Sequence, residues 1–297
     1  EIYMGDWSSD VCSSDLLWPE VPIAMGALKS PVTRWLARRL ERFAYANSAA
    51  IVALSPGMKA GIVATGSSAD RISVIPNGSD LDLRADSGDG ARERIRADLN
   101  LGADDILLLY PGTLGQVNDV CYLVELADAL RTKTKVKFLT VGDGREVDKV
   151  RTLAQKRGVL GRNFFMWNRV PKNEMTGLLS AGDIIVSTVL PIAELEANCA
   201  NKIFDGFAAG RCVAINHGGW LDDLLRESRV GIRLSRNVEQ AARELDALAD
   251  KPDWIREAGL RGRALAESIF SREALAAQME QAIWRSEERR VGKECRS

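Results

Sequence analysis

The sequence predicts an α/β protein built from parallel βαβ units, with helices covering both faces of the sheet. Three observations carry that expectation. Short runs rich in Val, Ile and Leu alternate with helix-period segments through most of the 297 residues. Those runs are apolar along their whole length rather than at every second residue, as strands buried on both faces are. Two glycine turns, Pro111-Gly-Thr-Leu-Gly115 and Val141-Gly-Asp-Gly144, stand directly behind such runs.

Taken in order, the strand candidates are residues 51–54, 72–75, 106–110, 136–141, 164–167, 184–189 and 213–216, each four to six residues long and largely β-branched or aliphatic. Helices are expected at 58–64, 117–131, 147–157, 173–179, 202–209, 221–227 and 238–248, so a helix follows almost every strand. From Pro252 the apolar residues Trp254, Leu260, Leu265, Ile269 and Leu275 continue in helical stretches to Trp284. Upstream, Arg34, Trp35, Arg38, Arg39, Arg42 and Phe43 mark a helix that is either packed with a solvated basic face or amphipathic toward an anionic membrane. A polar, glycine-rich stretch from Ser79 to Gly90 separates the strands into two groups and predicts a crossover between two domains.

Composition narrows the function. Lysine and arginine total 40 against 41 acidic residues, a net charge of -1, so the global excess of positive charge that drives non-specific nucleic-acid binding is absent. No run approaches the ~20 apolar residues of a spanning helix. The single histidine, His217, cannot form a multi-histidine metal site, and it is expected as a polar loop residue. Cys121, Cys199 and Cys212 lack CxxC spacing and read as reduced thiols of a cytoplasmic protein.

The two ends differ from the rest. Asp6–Leu16 and Arg285–Ser297 admit DNA codings of which the end of the first is the reverse complement of the start of the second, the mark of sequencing adapters ligated to one fragment. Residues 1–16 and 285–297 are therefore expected to lie outside the fold.

Three segments could carry chemistry. The 110–115 turn offers backbone N–H groups at a strand's carboxyl end, where open α/β sheets bind ligands. The 141–144 turn matches only part of GxGxxG, with no acidic residue at the spacing that holds a dinucleotide ribose, which disfavours a nicotinamide dehydrogenase. In 194–210, Asn198, Asn201, Lys202 and Asp205 gather at a helix start: an ammonium suits a phosphate, and a carboxylate can accept two hydrogen bonds from a vicinal diol. Two alternatives remain there, a nucleotide-diphosphate site or helix-capping asparagines beside solvated charges.

The ordered set of LWPE (17–20), IVALSPGMK (51–59), IPNGSDLDL (75–83), YPGTLG (110–115), VGDG (141–144), NKIFDGFAAG (201–210) and the NHGG loop (216–219) resembles the GT-B glycosyltransferases, specifically family 4 of the nucleotide-sugar-dependent retaining enzymes. The bacterial surface-polysaccharide transferases, of the colanic acid and O-antigen N-acetylfucosamine type, are the subgroup it is most similar to. The resemblance implies two Rossmann-like domains of parallel sheet, the first incomplete: 17–83 as a remnant of the N-terminal, acceptor-side domain, 84–250 as the donor domain, and 251–284 as helices packing back toward the first domain, between tails 1–16 and 285–297.

For the site, the resemblance implies that Gly112 and Gly115 face the donor pyrophosphate, with Gly142 in the neighbouring loop. Thr113 and Asn118 stand where the family carries Arg and Lys. Asn198, Asn201 and Lys202 would lie along the donor's sugar and phosphates, Asp205 would meet the ribose, and Arg169 and Val170 would border the base. Ala197 occupies the position of the family's first motif acid. The implied reaction moves a sugar from a nucleotide diphosphate, UDP, to a lipid-linked or saccharide acceptor with retained configuration. It implies no cofactor, no metal and no nucleic acid, a cytoplasmic location, and peripheral contact with the inner face of the membrane. An epimerase of the same fold and a non-catalytic nucleotide-binding fragment remain as alternatives.

Overall fold

The computed structural model describes residues 11–14, 18–82, 90–132 and 135–294. They form two compact units: Glu1–Gly78 with Ile192–Cys199 and Arg272–Ser297, and Ser79–Pro191 with Ala200–Ser271. Each contains its own parallel sheet.

The first unit contains β1 (Val11–Ser14), α1 (Glu20–Ala24), α2 (Pro31–Asn47), β2 (Ala50–Ala53), α3 (Pro56–Ala64) and β3 (Ile72–Val74). Its three strands run in the order β1-β2-β3, with Ile51 opposite Cys12 on one side and Ile72 on the other. The buried run Ala50–Leu54 is hydrophobic at every position, which lets β2 be covered on both faces. Ser55 ends the strand and caps α3: its Oγ accepts from the Met58 N–H at 3.1 Å, and Pro56 presets the first helical φ.

The second unit begins with Ser79, whose N–H donates to the Phe270 carbonyl and whose hydroxyl donates to that of Phe204. The domain boundary expected at 83/84 lies outside the described residues. After α4 (Ala91–Asp98), strand and helix alternate: β4 (Ile106–Pro111), α5 (Val120–Ala129), β5 (Val136–Val141), α6 (Val147–Arg157), β6 (Phe164–Trp167), α7 (Met175–Ala181), β7 (Ile184–Ser187), α8 (Asn201–Ala208), β8 (Cys212–Ile215), α9 (Trp220–Ser228), β9 (Gly231–Arg233), α10 (Val238–Ala249) and α11 (Pro252–Ser268). Six parallel strands lie in the order β6-β5-β4-β7-β8-β9. The order reverses at β4, so connections leave it in both directions and the ends of β4 and β7 form a switch point. Leu107, Leu109, Ile185 and Val213 are fully buried, as central parallel strands require.

The structure corrects three sequence expectations. Val11–Ser14, assigned to a tail outside the fold, pairs along β2 as β1; a ladder is made by backbone groups, so an extended segment can close an open strand edge whatever its origin. Arg285–Glu294, assigned to the second tail, continues α12 (Arg272–Glu294), helped by the helix-forming Glu and Arg of that stretch. Of the C-terminal helices expected to pack toward the first domain, only α12 does so, through Leu275 and Ala282 against Val52 and Ile75. Helix α11 packs instead on α8 and β8, because Gly259 and Gly262 let its backbone approach Gly210 and Phe207 closely.

Helix α2 buries a carboxylate. Glu41 is 9% exposed, and burial, followed by the charge of Glu20, pushes its pKa up to about 7 against the opposing hydrogen bond with Tyr45. A raised acid pKa means the native state favours the proton, so the charge costs stability as pH rises from the ordinary carboxylate range through 7. Glu41→Gln should therefore raise the melting temperature at pH 8, by roughly 2–3 kcal/mol in stability, with the gain vanishing near pH 4. Thermal unfolding of both chains across that range measures it, and a gain independent of pH would contradict it.

Candidate donor-binding site

The chain leaves β4 through Gly112 and enters α5 only at Val120. Helix was expected from Val117. Asp119 adopts φ 44°, which interrupts the turn at Gln116–Asn118 and delays the helix. The loop between is tied to itself: Asn118 Nδ2 donates to the Thr113 carbonyl at 2.6 Å, and the Tyr110 hydroxyl donates to the same oxygen at 2.8 Å.

Beside it lies the loop that leaves β5. Leu114 N–H donates to Asp143 O at 2.8 Å, Glu146 N–H to Leu114 O at 2.9 Å, and Gly112 N–H to Val141 O at 2.9 Å. No side chain fits between them. A Cβ on Gly142 would stand 1.9 Å from the Gly112 oxygen, and one on Gly144 would stand 2.5 Å from that of Leu114. Gly142 and Gly144 are glycines because two backbones touch there, which is a packing reason independent of any ligand.

Lys202, the second residue of α8, completes the cluster. Its Nζ lies 3.9 Å from the centroid of the Tyr110 ring, and a Cβ on Gly112 would press its Cε at 3.2 Å. Burial pulls the Lys202 pKa down to about 7, and no carboxylate among the described residues counters that. The electron-rich face of Tyr110 holds the cation in part. An ammonium so placed, beside a loop of backbone N–H groups, is suited to an anion.

The remaining expected residues are spread more widely. Thr113 is exposed and Gly115 partly so, on the same loop. Arg169 is exposed and Val170 half-buried just past the end of β6, whose Trp167 carbonyl accepts from the Gly142 N–H at 3.2 Å. Asn201 opens α8 on its exposed side and Asp205 lies one turn further, half-buried. Ala200 is the N-cap of α8 and no side chain caps it, so the asparagines do not serve as its caps. Asn198 ends the turn Ala193–Ala197, which belongs to the first unit.

In that unit Ala197 is enclosed: the Ser55 hydroxyl donates to its carbonyl at 2.7 Å, and a Cβ on Gly57 would stand 3.0 Å from its own. A carboxylate at 197 would have to be buried against α3.

Sequence reasoning missed the supports of the loop. Asn216, fully buried, accepts from Val189 N–H and donates to Val189 O, and Arg236 donates to the Val189 carbonyl. The segment thus held reaches the 112–118 loop, with Leu190 N–H donating to Val117 O and the Thr188 hydroxyl to Asn118 O. Nothing in the spacing of these residues announces the pairing.

Residues 91–259 match the model of the family described as glycosyl transferases group 1, and residues 11–78 match that of the glycosyl transferase 4-like domain. The chain belongs to the group 1 glycosyltransferases. Among relatives of this glycosyltransferase is the putative colanic acid biosynthesis glycosyl transferase WcaI of Escherichia coli, 26% identical over half of this chain and 36% of that protein. The lipopolysaccharide-biosynthesis glycosyltransferase WaaG is similar in structure, with a TM-score of 0.68 at 17% identity over 92% of this chain and 74% of that one. So is HepE of Anabaena in complex with UDP, with a TM-score of 0.66 at 16% identity over 92% and 78% of the two chains. These likenesses establish the GT-B fold. The glycosyltransferase chain spans 36–65% of the length of the curated relatives it matches.

The contact between the two loops gives a direct test. Gly142→Ala forces a Cβ into a carbonyl oxygen and should cost at least about 2 kcal/mol, read by chemical denaturation. An unchanged midpoint would show that the loops can separate freely.

Proposed function

We propose that the second unit binds a UDP-linked sugar at the ends of β4 and β5 and that the enzyme transfers that sugar, with retained configuration, to a lipid-linked or saccharide acceptor in bacterial surface-polysaccharide synthesis. The observation that carries this is Lys202: an ammonium without a carboxylate partner among the described residues, set beside Gly112 and a backbone-lined turn. Gly112, Thr113, Gly115, Asn118 and Gly142 form the turn that receives the diphosphate. Asn201 serves the sugar and phosphates, Asp205 accepts from the ribose hydroxyls, and Arg169 and Val170 border the base. Similarity to WcaI supports the polysaccharide context, and the UDP held by HepE supports the nucleotide. The N-acetylfucosamine type and a cytoplasmic location facing the membrane belong to the same reading.

No nucleophile is assigned, and the proposed transfer asks first that the leaving diphosphate be stabilised. Here that falls to Lys202 and neutral donors, since Thr113 and Asn118 supply no charge. Charge-assisted hydrogen bonds contribute about 1.5–3 kcal/mol and neutral ones about 0.5–1.5, so donor binding should be weaker than in relatives with two cations in this loop. Because the curated relatives are longer, transfer is proposed for the longer protein of which this chain is the donor-binding part, and this chain alone is expected to bind UDP without turnover.

Calorimetric titration with UDP and uridine tests the roles. Asp205→Ala should weaken both ligands about tenfold or more, whereas Lys202→Ala should weaken UDP and spare uridine. Equal losses for both ligands in both variants would overturn the assignment.

The same titration has a pH dependence. With its pKa near 7, free Lys202 loses its charge above neutrality, so UDP affinity should fall between pH 7 and 9 with proton uptake on binding. Lys202→Ala should abolish that slope. A slope surviving in the variant would place the titrating group elsewhere.

A further inference from the structure

One arginine grips the exit of β7. Past Ser187 the chain runs on through Thr188, Val189 and Leu190, and its backbone is met from two sides. On one side lies the turn that leaves β4: the Leu190 N–H donates to Val117 O at 2.9 Å and the Thr188 hydroxyl to Asn118 O. On the other, Arg236 spreads its fork over two consecutive carbonyls, Nη1 donating to Val189 O and Nη2 to Leu190 O at 3.3 Å. A guanidinium presents its donors in a fixed plane that can span such a pair, which an ammonium cannot.

The base of that side chain is itself fixed. Arg236 stands in the bend between β9 and α10, where the Tyr122 hydroxyl donates to Ser235 O at 2.5 Å and the Asn237 side chain caps α10 by accepting from Gln240 N–H at 2.9 Å. Tyr122 lies in the first turn of α5, three residues after Asp119. Asp119 ends the β4 turn in a left-handed conformation, φ 44°, that Asp tolerates better than most side chains. Among the described residues two cations act on its carboxyl, Arg236 more strongly than Lys149, and Lys149 already pairs with Glu146. Burial pushes the Asp119 pKa up to about 6 against those charges, so at neutral pH the ionised carboxyl relies chiefly on Arg236 for counter-charge.

We propose that Arg236 is a positioning residue for the diphosphate turn: its fork fixes the exit of β7 and its charge holds Asp119, so that the turn from Gly112 to Asn118 stands preformed before the ligand arrives. The role rests on the reading of that turn as the diphosphate site. Arg236 acts there through Thr188, Leu190 and Asp119, and a preformed turn spares the ligand the cost of ordering it. Uridine lacks the diphosphate and gains nothing from the turn.

Titration with UDP and uridine at pH 7, joined to amide exchange in the unliganded chain, tests the role. Arg236→Gln should weaken UDP about tenfold, spare uridine and keep the pH slope that belongs to Lys202. Arg236→Lys, which keeps the charge without the fork, should recover only part of the loss. In an Asp119→Asn background, which tolerates the same left-handed backbone, Arg236→Gln should cost less than it does alone. Exchange at the Leu190 amide should speed about tenfold in Arg236→Gln while that at Leu109 within β4 holds. Full recovery by Arg236→Lys, independent losses at 119 and 236, or exchange that is unchanged at Leu190 or equally faster at Leu109 would overturn the proposal. So would UDP affinity that falls in Lys202→Ala but not in Arg236→Gln, and that outcome leaves the donor site standing. Failure of the unaltered chain to bind UDP would instead overturn the donor reading and this role with it.

Discussion

The candidate site depends on one steric fact, that the loops leaving β4 and β5 meet backbone to backbone. With 1.9 Å between a Gly142 Cβ and the Gly112 oxygen, no side chain can enter, and the hydrogen bonds from Leu114 and Glu146 lock the two loops in register. This contact fixes where Gly112 stands. Gly112 leaves the space beside Lys202, and Tyr110 beneath gives the ammonium its ring face. A rigid backbone floor and a single cation follow from the same pair of turns.

Lys202 accepts a cost in that position. A half-buried ammonium without a carboxylate among the described residues loses hydration that one aromatic ring only partly replaces, which is why its pKa falls toward 7. A phosphate oxygen would restore the missing counter-charge. The arrangement thus holds in reserve an interaction that a bound anion completes, and because Lys202 is only partly exposed the electrostatic gain is larger than a fully solvated lysine could give.

Much of the second unit was legible in the sequence, because central parallel strands such as Leu107–Tyr110 and Ile184–Ser187 are apolar at every position and their turns carry glycine. The NKIFDGFAAG segment likewise reveals Lys202 through its place at a helix start. What escaped was long-range. The grip of Asn216 on Val189, the enclosure of Ala197 by Ser55 and Gly57, and the ring of Tyr110 under Lys202 join residues far apart in sequence, and no local pattern encodes them. Strand β1 escaped for another reason, since its pairing is made by backbone groups common to every residue. The apolar residues of α2 were visible as helical, but only the structure shows that they face away from the buried stripe.

The most direct test of the donor-site account is the structure of this chain with UDP bound. The account predicts the diphosphate on the 112–115 turn, within hydrogen-bond distance of Lys202 Nζ and of backbone N–H groups there, and the ribose at Asp205. Diphosphate bound away from Lys202, or a turn that must open and break its contact with Gly142 to admit the ligand, would contradict it.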